Sequence, residues 1–242
     1  MVMTRKEFGY LLLWLLAGAL AVALSFSLDG PVDDALKVHS HLQHTYALIF
    51  TKFGEGWVPA LVGILLVILF VRRHRPGIAA KIFFVILTGE LAGVAAIIVR
   101  LFAGRTRPSA HVPQGFYGVW HDGHWVIGRY DFSAFPSGHA AMAIGLAAGA
   151  WLLHRRWGIA LALFAAGVSW SRIAFQSHHF SDVVASVVLA VPLAVIMKKN
   201  LLPYLELRFA KFDYPRQKEK RFVPADQPKD KPAPAAYPVP PN

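Results

Sequence analysis

The sequence predicts an all-α, polytopic membrane protein, a bundle of six transmembrane helices, and three observations lead there. Of its 242 residues, 55% are hydrophobic and only 16% charged, a balance that no water-soluble chain of this size could bury. The apolar residues fall into six blocks parted by charged or Gly/Pro-containing breaks. The basic residues, finally, alternate sides. With the amino terminus inside, segments 1–7, 72–77, 154–158 and 198 onward, together with Lys81, hold 18 of the 25 Lys and Arg, the positive-inside pattern. The net charge of +11 therefore reports topology. Nucleic acid as a partner would call for a basic helix or a recognised fold outside the membrane, and neither is present.

The first block, Phe8 to Leu28, follows Arg5 and Lys6 as a signal peptide would, but the DGPVDD that succeeds it offers no small-x-small cleavage site, so a retained helix is expected. This block and the third, Ile78 to Val99, reach the roughly 20 residues that cross a hydrocarbon core of about 30 Å. The second (Gly54 to Val71), fourth (Ser137 to Leu153), fifth (Ile159 to Phe175) and sixth (Ser181 to Met197) lie near the lower limit of about 17. Short blocks that end in polar residues suggest helices whose ends do more than face lipid.

Between the first two blocks, Leu36, Leu42, Ala47 and Phe50 suit either a helix lying at the interface or a plain connecting loop. Residues 100–136 form the longest structureless outer stretch, crowded with Arg, His, Trp, Tyr and Gly, which suggests a folded lid or the wall of a site. The transmembrane domain is placed at 1–200. Residues 201–242 end in DQPKDKPAPAAYPVPPN, whose prolines remove donors and prevent regular packing, so a disordered cytoplasmic tail is expected. There is no cysteine, hence no disulfide and no thiolate chemistry. Gly89 with Gly93 and Gly145 with Gly149 would allow close helix approach, although such pairs arise often by chance in a chain this rich in Gly and Ala. Glu90, deep in the third block, must be protonated, paired or facing a wet cavity.

Helix counting brings the polar residues to one face. The end of helix three, the start of four, the end of five and the start of six share the outer side, and there lie Arg100, Arg105, Arg107 and Pro108; Ser137, Gly138 and His139; Ser171 and Arg172; and His178, His179 and Asp182. Converging arginines beside histidines describe a receptor for a dense anion, since guanidinium forks bind phosphate oxygens bidentately. Backbone N–H groups at Ser137, Gly138 and His139 would add the anion-binding end of a helix. His178 and Asp182 are four apart and share a helix face, so the carboxylate can accept one imidazole N–H and leave the other nitrogen free to attack. His139 remains as a proton donor. A metal site is the chemical rival, its nearest cluster being His111, His121, Asp122 and His124, but the arginines would repel a cation.

These residues stand as Arg100-x6-Arg107-Pro108, Pro136-Ser137-Gly138-His139 and Ser171-Arg172-x5-His178-x3-Asp182. In that order and spacing the chain resembles the type 2 phosphatidic acid phosphatases (PAP2), related in site to vanadium-dependent haloperoxidases. It departs in having Arg100 where lysine is common; both are cationic. The resemblance implies a PAP2/haloperoxidase-like helical core and a phosphatase with no metal and no cofactor, acting on the phosphate or diphosphate of a membrane lipid. His178 would be the nucleophile, Asp182 its orienting carboxylate and His139 the general acid. Arg100, Arg107, Arg172, Ser137 and Gly138 would hold the phosphate, while the motif leaves His179 unused, as a structural or gating residue. Undecaprenyl diphosphate, phosphatidylglycerol phosphate, phosphatidic acid and lipid A phosphate are not distinguished, and oligomeric state leaves no mark. The expected setting is a bacterial-type cytoplasmic membrane with the site facing the periplasm or exterior. Three rivals remain: a lipid phosphotransferase using the same phosphohistidine; a phospholipid transporter, against which the gathering of polar residues at one face argues; and a non-enzymatic membrane scaffold, which gives no reason for the histidines.

Overall fold

The computed structural model describes residues 4–213; the rest of the expected tail lies outside the described residues. Helix α1 (Arg5–Ser25) begins with a capping box in which Thr4 accepts from the Glu7 N–H and Glu7 accepts from the Thr4 N–H. One 3-10 turn carries the chain into α2 (Asp29–Leu36). Next, α3 (His41–Phe53) and α4 (Trp57–Arg72) meet at a break bent by 55°. Both halves of segment 29–53 are thus helical. The bundle is completed by α5 (Pro76–Ala103), α6 (Gly138–Leu153), α7 (Arg155–Ala174), α8 (Phe180–Asn200) and α9 (Leu202–Ala210).

The all-α membrane bundle is as expected, but the count of six spans is not reached. Among the described residues, four helices or helix runs are long and apolar enough to cross: Arg5–Leu36, Pro76–Ala103, Arg155–Ala174 and Phe180–Asn200. The bent pair α3 and α4 would make a fifth. Helix α6, at 16 residues, is shorter. It packs against α5, α7 and α8, burying Ala140, Ala141, Ala143, Gly145, Ala147 and Gly149. The outer helices show the opposite composition, with Leu16 62%, Leu65 58% and Leu163 70% exposed, an apolar surface suited to lipid.

The two small-residue pairs face each other across α5 and α6. A Cβ at Gly89 would stand 2.6 Å from Leu146 Cγ, and one at Gly145 would stand 2.9 Å from both the Ala92 Cβ and the Thr88 carbonyl oxygen. Close backbone approach of this kind supplies packing where lipid offers no hydrophobic drive. The first helix is tied to the last span as well. Pro192 inside α8 has no N–H for the Val188 carbonyl four residues back, and Trp14 Nε1 donates to that carbonyl at 3.0 Å. Lys199 closes the other end of this pair of helices on Glu7. Beyond the expected domain boundary at 200, α9 folds back and buries Leu202 and Leu205 with Ala80, Phe84 and Met197.

Residues 104–137 are folded, as the crowding of Arg, His, Trp, Tyr and Gly in this stretch suggests. Gly104 ends α5 at φ +56°, a left-handed cap natural to glycine, and a Cβ there would collide with the Gly118 backbone. The Arg105–Phe116 bridge, a hairpin pairing Trp120–His121 with His124–Trp125, and a 3-10 turn at Tyr130–Phe132 hold the loop down over the end of the bundle. Arg105 and Arg107 are delivered by this loop.

Candidate active site

All eight residues singled out for the site gather at that end. Arg100 ends α5, with its Nη1 3.9 Å from where a Gly138 Cβ would be. Gly138 and His139 open α6, Arg172 lies in the last turn of α7, and His178 precedes α8. His139 is within electrostatic range of Arg172, His178 and Arg100. Arg100 and Arg107 are within range of each other, and Arg172 of both.

Among the described residues the arginines are held without a direct ion pair, although Asp131 and Asp182 lie within electrostatic range of Arg107 and Glu55 within range of Arg172. Arg107, 5% exposed, donates from Nε to the Tyr130 carbonyl at 2.8 Å and from Nη2 to Ser133, and stacks 3.8 Å from the Tyr130 ring centroid. Its Nη1 is buried with no partner. Arg172 donates from Nη1 to Thr51 Oγ1 at 3.4 Å, and its Nε is likewise buried without a partner. Burial pulls Arg107 below its ordinary value, but a guanidinium stays charged at any working pH. Three cations within range of one another, two of them with an orphaned buried donor, suit an anion between them.

His178 is 1% exposed and its Nδ1 lies 2.6 Å from the Ala134 carbonyl oxygen. A carbonyl can only accept, so Nδ1 carries the proton and Nε2, which bonds to nothing among the described residues, carries the lone pair. Here the structure amends the expected pairing: Asp182 Oδ2 is 3.6 Å from Nδ1, so Ala134 is the nearer acceptor and Asp182 the outer one. Asp182 is occupied elsewhere, with Oδ1 accepting from Arg105 Nη1 at 2.5 Å and Oδ2 from the His179 N–H at 2.7 Å. Burial pushes His178 down to about 4, helped by Arg172 and Arg107 and opposed by Asp182. At neutral pH the imidazole is therefore uncharged.

The helix α6 start is also amended. Ser137 is fully buried; its Oγ caps the Ala140 N–H and its own N–H donates to the Asp182 carbonyl at 3.3 Å. The Ser137 N–H is thus spent, and the Gly138 and His139 N–H groups are those left to meet an anion. His179 has both ring nitrogens engaged, Nδ1 with Asp33 at 2.7 Å and Nε2 with Thr106 and Gln114.

Four residues of the neighbourhood escape a motif reading: Ala134, Thr51, Asp29 and Asp33. The first acts through its backbone, which leaves no signal in residue type, and the others stand far from the motifs in sequence. The loop residues His111, His121, Asp122 and His124 do not form a metal-ligating group among the described residues. The group that does converge is Asp29, Asp33 and His179, with ligand atoms within 4.8 Å of one another. Its oxygens already accept from Arg105, the Ser181 N–H and hydroxyl, and the Phe180 N–H, so a cation would have to displace a buried arginine. The residues of this group do not fit a metal.

Residues 56–202, more than half of the chain, match the PAP2 superfamily. The chain belongs to that family. Its fold is similar to the crystal structure of Aquifex aeolicus LpxE, with a TM-score of 0.53 and 23% identity over 71% of this chain and 95% of that one. No curated protein matches the chain. This PAP2 chain carries its family-matched part in α4 to α8, with Gly56 before α4 and Leu202 opening α9, while α1, α2 and α3 precede the match.

Proposed function

We propose that this PAP2 protein hydrolyses the phosphate or diphosphate monoester of a membrane lipid through a phosphohistidine, with no metal. One observation carries the reading: two guanidiniums with buried orphan nitrogens, Arg107 and Arg172, lie within electrostatic range of a buried histidine whose Nε2 has no partner among the described residues, with Arg100 within range of both arginines. In the first step the Nε2 lone pair of His178 bonds to the terminal phosphorus and the bond from that phosphorus to the leaving oxygen, the lipid's own in a monophosphate or the bridging oxygen in a diphosphate, breaks, with His139 giving that oxygen a proton. In the second, water attacks phosphorus, His139 takes back a proton, and the P–N bond breaks to release phosphate and neutral His178. Arg100, Arg107, Arg172 and the N–H groups of Gly138 and His139 stabilise charge on the equatorial oxygens, where electrostatic preorganisation contributes most. Ser137 contributes by capping the helix that presents those N–H groups.

The lipid tail explains why this chemistry sits on a bundle with leucine-rich outer surfaces. The headgroup reaches the helix ends while the chains stay in the bilayer. Basic segments at the opposite end of the bundle support an orientation with the site outside a cytoplasmic membrane. The test is phosphate release by purified protein, in EDTA, from undecaprenyl diphosphate, phosphatidylglycerol phosphate, phosphatidic acid and lipid A. Release from at least one, blocked by vanadate, is expected; activity that disappears in chelator and returns with one divalent ion would overturn the reading. The chain has no cysteine, so Ser109→Cys reports orientation cleanly: an impermeant maleimide should label it in intact cells, and labelling only after lysis would put the site inside.

A further inference from the structure

The residues around Arg105 form a dense, buried polar cluster, and the hydrolytic mechanism uses none of its arginine, serine or amino-terminal carboxylate groups. Arg105 is 6% exposed. Its Nη2 donates to Asp29 Oδ2 at 2.6 Å, and its Nη1 to Ser181 Oγ at 2.7 Å and to Asp182 Oδ1. Phe26, Phe116 and Phe135 close over the guanidinium with ring centroids 4.9, 5.1 and 5.9 Å away. Asp29 also accepts the Ser181 N–H and hydroxyl, and Asp33 accepts the Phe180 N–H, so two carboxylates of α2 cap the start of α8. The backbone of Arg105 takes part as well, its carbonyl accepting the Ala134 N–H at 3.0 Å.

Both groups that face His178 Nδ1 are therefore set by one residue. The Arg105 side chain holds Asp182, and its main chain holds Ala134, whose carbonyl takes the imidazole proton. Phe26, Asp29 and Asp33 lie outside the family-matched residues 56–202. We propose that Arg105, clamped by Asp29, is a positioning residue for His178, and that the amino-terminal segment 26–33 is thereby a working part of the site. The proposal rests on the hydrolytic reading above. Asp29 touches no substrate; it acts by fixing a two-carboxylate bridge that only a planar fork can span, and the bridge fixes the direction in which Nε2 points.

The test uses full-length Asp29→Asn and Arg105→Lys, with the lipid among the four above that wild type hydrolyses fastest. Rates are expressed per vanadate-binding site, so any misfolded fraction drops out. Vanadate affinity should stay within about threefold of wild type, because Arg100, Arg107 and Arg172 are untouched, while kcat and the rate of phosphoenzyme formation per site fall about 10- to 100-fold with KM little changed. Arg105→Lys should show the larger loss. A merely structural cluster would reduce the number of sites and leave kcat per site at the wild-type value, and that result overturns the proposal. If wild type itself neither releases phosphate nor binds vanadate, the hydrolytic reading fails first and takes this one with it.

Discussion

Arg105 and Arg172 face the same end of the bundle, and the fold treats them oppositely. Arg105 is sandwiched by two carboxylates, a serine and three phenyl rings. Arg172 has one long hydrogen bond, a buried nitrogen without a partner, and two other arginines within electrostatic range. The histidines divide in the same way: His179 has both nitrogens bonded, whereas His178 keeps Nε2 free. Desolvated charge is costly unless paired. A group whose partners are all inside the protein can act only through what it holds, as Arg105 acts on His178 through Asp182 and Ala134, and one left unpaired awaits a partner from outside. Motif spacing cannot make this distinction, because both kinds of residue crowd the same helix ends.

The largest effect should come from the unpaired histidine. His178→Ala is expected to abolish turnover and the acid-labile phosphoenzyme together, as followed by rapid quench with labelled lipid. His179→Asn should still form the phosphoenzyme. Phosphorylation of the His178→Ala chain at the wild-type level would break the comparison at its root.

Next come the arginines, which should exchange places between two assays. Arg172→Ala removes one of three repelling cations and is expected to lower kcat/KM about 10²- to 10³-fold while leaving thermal stability in detergent unchanged or slightly raised. Arg105→Ala strips two buried carboxylates of their cation and should destabilise by about 3 to 5 kcal/mol. Vanadate should protect wild type against heating, by about 2.7 kcal/mol at a hundred times its Kd, and should not protect Arg172→Ala at that concentration. If Arg172→Ala instead melts early and still binds vanadate, that arginine is structural.

Of intermediate size is the titration of His178. Burial holds it near 4, against an ordinary value of about 6.5. The depressed value keeps the imidazole neutral, and so nucleophilic, through pH 7, 6 and 5, with protonation taking over only as pH falls through about 4. An imidazole NMR titration should show this resonance moving well below the range of exposed histidines. Replacing Asp182, which opposes the shift, by Asn should move the midpoint lower still. A His178 midpoint near 6.5 would mean that water reaches the ring and that the site is more open than its burial implies.

Much of this arrangement is legible in the sequence. The three motifs single out Arg100, Arg107, Ser137, Gly138, His139, Arg172, His178 and Asp182, and helix parity alone places them on one face. Arg105 is visible as one more arginine at that face, but its partner Asp29 is 76 residues away in a segment that carries no motif. Asp29 and Asp33 look like ordinary acids in an outer connection because a pairing of that range leaves no local pattern. The Ala134 carbonyl cannot be read at all, being backbone. Hydropathy alone does not say what surrounds each apolar block: an alanine- and glycine-rich core helix such as α6 is as apolar as one facing lipid.

The smallest expected effect carries the same rule into the lipid-facing part, far from the chemistry. Pro192 deprives the Val188 carbonyl of its helical donor, and Trp14 Nε1 supplies the substitute at 3.0 Å. Water cannot take over this bond within a bilayer, so losing it leaves an acceptor unsatisfied. Trp14→Phe retains most of the ring's packing and removes only the N–H, and should cost about 1 to 3 kcal/mol, read as a lower melting midpoint with kcat/KM per folded molecule unchanged. Pairing it with Pro192→Ala, which restores a backbone donor for Val188, sharpens the point: in that background Trp14→Phe should cost far less. An equal cost in both backgrounds would assign the loss to packing of the indole against α8, where Gly18 also approaches Val188, and would show that a satisfied polar atom is not what ties the first helix to the last span.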